Sequence, residues 1–160
     1  MDNITANAIV KCLEIDVDFY RDLTVFLMKK HTKILEDDLE WLTDSLNDEQ
    51  AYLMKSRSLE EKRLALFKGL GIEDKKLSEL AEEAPEEFRP KINMLSRQLT
   101  EIIEKITELN TETTEMVKRK LDNQKEFVER AGILEKPEIY NKNASKVASG
   151  QSAAQPFRHI

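Results

Sequence analysis

Residues 91–131 contain neither glycine nor proline. An apolar stripe in this stretch runs through Ile92, Leu95, Leu99, Ile102, Ile106, Leu109, Met116, Val117, Leu121, Phe127 and Val128. They fall mainly three and four apart, the spacing of one helix face. At about 1.5 Å per residue the stretch forms a rod of roughly 60 Å. A stripe on so long a helix cannot cover itself, so it needs partner helices or another protein.

The first glycine is Gly69 and the first proline is Pro85, so everything before them can be helix. Asp2, Asn3 and Thr5 offer oxygens to the orphan N–H groups of a first turn. Ile9, Leu13, Val17, Tyr20, Leu23, Leu27 and Ile34 then form one stripe, with Ile15, Phe19 and Phe26 in an offset row. So wide an apolar arc serves two packing neighbours at once, or leaves the offset row for a partner. The acidic run Glu36, Asp37, Asp38 ends this helix near Leu35 and starts the next. Leu39, Leu42, Leu46, Leu53, Leu59, Leu66 and Leu70 continue the periodicity, with Trp41 and Tyr52 beside it. A short turn near Asp37 makes the two helices antiparallel. Gly69 and Gly71 close the second. Leu77, Leu80 and Ala81 mark a short helix stopped by Pro85, and Pro90 suits the first turn of the third long helix.

The expected fold is therefore all-α. Three long antiparallel helices, at about 3–35, 38–69 and 90–131, form a coiled-coil-like bundle with a short connecting helix at about 76–83. Residues 1–131 make the bundle, and 132–160 a flexible C-terminal tail. Within that tail, 141–155 is Ser, Ala, Asn, Lys and Gln with one Gly and one Val, too polar to fold alone. Ile139-Tyr140 and Phe157 are apolar islands within the tail; an aromatic there either serves as a docking anchor or, for Tyr140, packs back on the bundle. The third helix changes character halfway. Its stripe is solid up to Leu109, then thins where Thr111, Thr113, Thr114, Asn123 and Gln124 appear. That half suits either a surface that exchanges partners or a simply solvated end.

Composition narrows the function. A net charge of −6 argues against nucleic acid, which requires a basic face. The longest apolar cluster, 25–28, is far too short to span a bilayer, so no membrane insertion is expected. One cysteine, Cys12, cannot make an internal disulfide, and it sits on the apolar face beside Ile9 and Leu13. No secretory signal is visible at the N-terminus, and a reducing cytoplasm fits these features.

Catalytic chemistry finds no foothold. The two histidines, His31 and His159, lack the Glu-x-x-His spacing of di-iron bundles. No HExxH or CxxC zinc pattern and no phosphate-binding loop is present. No metal or other cofactor is expected, and the chain reads as a non-enzymatic binding protein. A histidine phosphotransfer domain carries an exposed histidine followed by lysine and glycine. Here Thr32, Lys33, Ile34 and Leu35 follow His31 without a glycine, so an ordinary exposed helix histidine is expected instead.

With this architecture in place, the chain resembles the FlgN family of flagellar export chaperones. Leu59-Glu60-Glu61-Lys62-Arg63-Leu64-Ala65-Leu66-Phe67-Lys68-Gly69-Leu70-Gly71 is similar to the end of that family's second helix. Leu77-Ser78-Glu79-Leu80 matches the segment that follows, Leu109-Asn110 matches the spacing of the long third helix, and Ile139-Tyr140-Asn141 matches the tail. The resemblance implies a cytoplasmic chaperone that binds a terminal amphipathic helix of hook–filament junction proteins and delivers them to the flagellar export gate. A helix laid against an apolar row is a common recognition mode. Leu109, Thr113, Met116, Val117, Leu121 and Phe127 are the expected client contacts. Tyr140 is the expected export-gate contact by analogy, and Ile15, Phe19 and Phe26 form the alternative partner face. A generic coiled-coil adaptor, which would self-associate, and a phosphotransfer domain are the competing readings.

Overall fold

Asp2 opens the first helix with its carboxylate, which accepts a hydrogen bond from the Thr5 N–H at 2.8 Å. The computed structural model describes residues 1–132. Helix α1 spans Asn3–Leu35, α2 Leu39–Asp44, α3 Leu46–Gly69, α4 Leu77–Glu83 and α5 Arg89–Arg130. No strand occurs among the described residues. From residue 133 on, the expected tail, with Tyr140 and Phe157, lies outside them.

The end of α1 and the start of α2 are built from three acids. Asp37 takes the left-handed conformation, φ 55°, that glycine usually supplies. The N–H of Asp38 then reaches the Lys33 carbonyl at 3.0 Å, and that of Asp37 the Ile34 carbonyl at 3.2 Å. Those two bonds close the last turn as a Schellman motif. Asp38 also accepts from the Trp41 N–H at 3.0 Å, capping α2, and pairs with the Lys33 ammonium at 3.0 Å. Gly71, φ 68°, ends α3 by the same motif, with the Ile72 N–H on the Phe67 carbonyl at 2.9 Å.

The expected second helix is in fact two. Ser45 interrupts it while keeping a helical backbone, and its hydroxyl donates to the Leu42 carbonyl at 3.0 Å. A serine that bonds back to the preceding turn loosens the helix locally.

Helix α3 runs back along α1. The pairs Lys30–Glu49, Phe26–Tyr52, Tyr20–Ser56 and Asp16–Arg63 mark the descent. Helix α5 begins beside the start of α1 and runs parallel to it, with Asn3 donating to Glu87 and Lys91 paired with Glu14. Consecutive long helices are therefore antiparallel, as short connections require.

The core lies where these helices meet. Ile9, Leu13, Val17, Tyr20, Leu27 and Ile34 of the first stripe are buried, as are Ile92, Leu95, Leu99 and Ile106 of the third helix. Leu80 and Ala81 of α4 and the following Ala84 add to it. Ala84 is extended because Pro85 follows it.

The middle stripe departs from expectation. Leu59, Leu66 and Leu70 pack against the core, but Leu39, Leu46 and Leu53 are exposed by 72%, 55% and 45%. The buried side of α2 and α3 instead carries Ser45, Ser56, Arg63 and Phe67. Their partners on α1 decide this: Tyr20 and Ser56 share a hydrogen bond of 3.2 Å, and Arg63 donates to Asp16 at 2.6 Å. Leucines seven apart drift by about 20° per two turns on a straight helix, and here they slide off the packed side.

Candidate binding surfaces

Helix α5 crosses a boundary at Asn110. Met1–Leu109 falls in one compact unit, and a second begins at Asn110. Among the expected client contacts, Leu109 is half-buried and packs on the core of the first unit. The others lie in the second. Thr113 and Val117 are half-buried, and Met116 is buried at 6% exposure. Leu121 and Phe127 are open to solvent, at 44% and 69%. Met116 is thus withdrawn from the surface, while Leu121 and Phe127 are presented.

The alternative face is divided in another way. Ile15 is 54% exposed, but Phe19 is 4% exposed and packs edge-on to Tyr20 at 5.0 Å. Phe26 is half-buried, with its ring centroid 5.0 Å from that of Tyr52 and 5.9 Å from that of Trp41. Phe19 and Phe26 therefore pack largely inside the molecule, and Ile15 alone of the three is an open side chain.

An open groove of about 430 Å³ lies beside these rings, lined by Phe26, Asp48, Ala51, Tyr52 and Lys55. Lys29 sits over Trp41 at 5.5 Å, and Lys55 over Phe19 at 5.4 Å, as cation–π pairs. Sequence reasoning missed this groove. Its signal was the spacing of Trp41, Asp48, Tyr52 and Lys55, seven, four and three apart, which places all four on one side of α2 and α3.

The titratable groups of the interior are structural in character. Asp16 is buried, and burial pushes its carboxyl above the ordinary value while the Arg63 charge pulls it down. Cys12 is half-buried, and its thiol is pushed up to about 11 by burial and by the nearby Asp16 charge. At neutral pH it is a protonated packing group and a poor nucleophile. His31, expected to be exposed, is half-buried on α1. Among the described residues no group of three or more His, Cys, Asp or Glu side chains could hold a metal ion. No helix among them is long and apolar enough to cross a membrane.

The model of the family described as FlgN protein matches residues 1–147. The chain belongs to the FlgN family. The match takes in all five helices. FlgN-family membership makes this a flagellar export chaperone, one whose ligands are flagellar export substrates in general. Neither a curated protein nor a solved structure gives a significant match to it.

Proposed function

We propose that this FlgN-family protein works in the cytoplasm, holding hook–filament junction proteins by a terminal amphipathic helix and delivering them to the flagellar export gate. It acts by binding and catalyses no reaction. The client helix lies along the α5 residues from Thr113 to Phe127. The observation that supports this is the exposure of Leu121 and Phe127, 44% and 69%, on a stripe that also carries the half-buried Val117 and Val128. Large apolar side chains held open on a rigid helix are what an incoming amphipathic helix can cover. Tyr140, outside the described residues, is the proposed contact for the export gate.

The test is size-exclusion chromatography with light scattering on mixtures with purified junction proteins. Wild-type protein is expected to form a stable complex. Leu121→Asp and Phe127→Asp should each weaken it while far-UV circular dichroism stays helical, because neither side chain is buried. Complexes of undiminished strength with both variants would place the client elsewhere. A wild-type protein that binds no client and elutes as a self-dimer would sink the reading in favour of a coiled-coil adaptor.

A further inference from the structure

The charge of this chain is unevenly placed. Residues 34–54 hold seven of its 31 acidic side chains and none of its 25 lysines and arginines, so the remainder of the chain is net positive by one. Within this acidic segment Glu36 and Asp38 pair with Lys33, and Glu49 pairs with Lys30. Glu40, Asp44 and Asp48 have no cationic partner among the described residues. They are four apart, so they form a ladder along one side of α2 and α3. Asp48 at its end lines the groove formed with Phe26, Ala51, Tyr52 and Lys55. The lysines nearest the rings, Lys29 and Lys55, already lie over Trp41 and Phe19.

We infer that this groove is a second docking site, separate from the α5 surface, and that it takes a basic amphipathic helix of another protein. An apolar side chain of that helix enters beside Phe26 and Tyr52, over Ala51. Lysines or arginines a turn apart on the same helix meet Glu40, Asp44 and Asp48. Charge complementarity selects this occupant. A second copy of the chain would bring an identical acidic ladder against the first, and like charges facing each other disfavour that arrangement. The inference does not rest on the client reading, since no residue is shared between the two surfaces.

Trp41 is the only tryptophan of the chain, and its ring packs on Phe26 at the edge of the groove. Its emission therefore reports occupancy without a label. The experiment titrates the full-length protein with a tryptophan-free synthetic helix of leucine and lysine, about five turns long, at low salt. A scrambled peptide of the same composition and a leucine–glutamate helix serve as comparisons. The expected result is a saturable blue shift of Trp41 emission with the leucine–lysine helix alone. Ala51→Gln fills the groove and leaves the acids in place; Glu40→Lys with Asp44→Lys and Asp48→Lys removes the ladder and leaves the groove open. All four sites are exposed, so the fold is unaffected, and each variant should bind at least about tenfold more weakly. Equal binding of the scrambled peptide, or undiminished binding by Ala51→Gln, would overturn the site. It would also be overturned if Tyr140→Ala with Phe157→Ala shifted Trp41 emission without peptide, since the protein's own C-terminal segment would then be the occupant. Dimers that Ala51→Gln dissolves would assign the groove to a second copy.

Discussion

Arg63 donates a hydrogen bond of 2.6 Å to Asp16, a residue 47 positions earlier in the chain. Both side chains are nearly sealed from water, at 7% and 2% exposure. Charges so placed lose their hydration and recover it only from each other. Removing one partner strands the other. Arg63→Met is therefore expected to destabilise the protein by about 3–5 kcal/mol, whereas Asp16→Leu combined with Arg63→Met should be near neutral or stabilising. Urea denaturation of the single and double variants checks this. A single variant that unfolds like wild type would mean that water reaches the pair.

The two kinds of aspartate predict opposite acid behaviour. Asp16 is raised by burial, so its contribution is present below 3.8 and lost as pH rises through its folded value. Asp2 and Asp38 are lowered, chiefly by the hydrogen bonds from Thr5 and Trp41 respectively. Their contribution is present above 3.8 and lost as pH falls through the folded value. Asp38→Asn keeps a capping oxygen but no charge. Its unfolding midpoint should lie below that of wild type near neutrality and converge with it in acid. A constant gap across that range would assign the effect to something other than the carboxylate charge.

Asp37 occupies a backbone conformation that favours glycine. Asp37→Gly should remove that strain and stabilise the protein by about 1 kcal/mol, less the entropy glycine adds to the unfolded chain. A thermal melt at neutral pH gives the answer. A lower melting temperature would show that the aspartate side chain contributes more than its backbone costs.

Leu99 is fully buried in the half of α5 that packs on the core, whereas Leu121 is 44% exposed in the other half. Truncation to alanine should cost about 2–5 kcal/mol at Leu99 and well under that at Leu121. Equal losses at both sites would show that Leu121 is covered in solution.

Cys12 should be slow to react. With its thiol at about 11, alkylation at mildly alkaline pH should proceed at least about tenfold more slowly than for an unhindered thiol. Urea should restore the ordinary rate. Rapid labelling of the native protein would mean that α1 opens around it.

The long helices were legible because their ends are chemically marked and their stripes are regular. Ile9, Leu13 and Val17 on one helix, and Ile92, Leu95 and Leu99 on another, are spaced as a buried face must be, and they are buried. The glycine at 71 and the proline at 85 punctuate the chain as expected. The middle helix was harder to read because its buried side is partly polar. Nothing local reveals that Arg63 and Ser56 turn inward, since their partners Asp16 and Tyr20 belong to another helix. With those polar groups on the packed side, Leu39, Leu46 and Leu53 face outward, and the break at Ser45 goes with that serine's own bond back to Leu42. The thinning of the third stripe after Leu109 was readable, and the boundary between compact units falls there. The groove was legible only on one side: the spacing of Asp48, Tyr52 and Lys55 marks one wall, but Phe26 meets Tyr52 only once two helices have folded back on each other.

Helix α4 has a consequence beyond its seven residues. Leu80, Ala81 and Ala84 are buried at the end of the first unit where α1 and α5 begin, alongside Ala6, Ile9 and Ile72. That end is clasped. At the other, the acidic corner is flanked by Leu35 and Leu39, exposed by 57% and 72%. Burial of apolar side chains is thus deepest beneath α4, while the corner is held by its turn and by ion pairs such as Lys33 with Asp38 and Lys30 with Glu49. Amide hydrogens near the corner should therefore exchange before those beneath α4, because ion pairs at a surface yield to water sooner than a sealed apolar layer does.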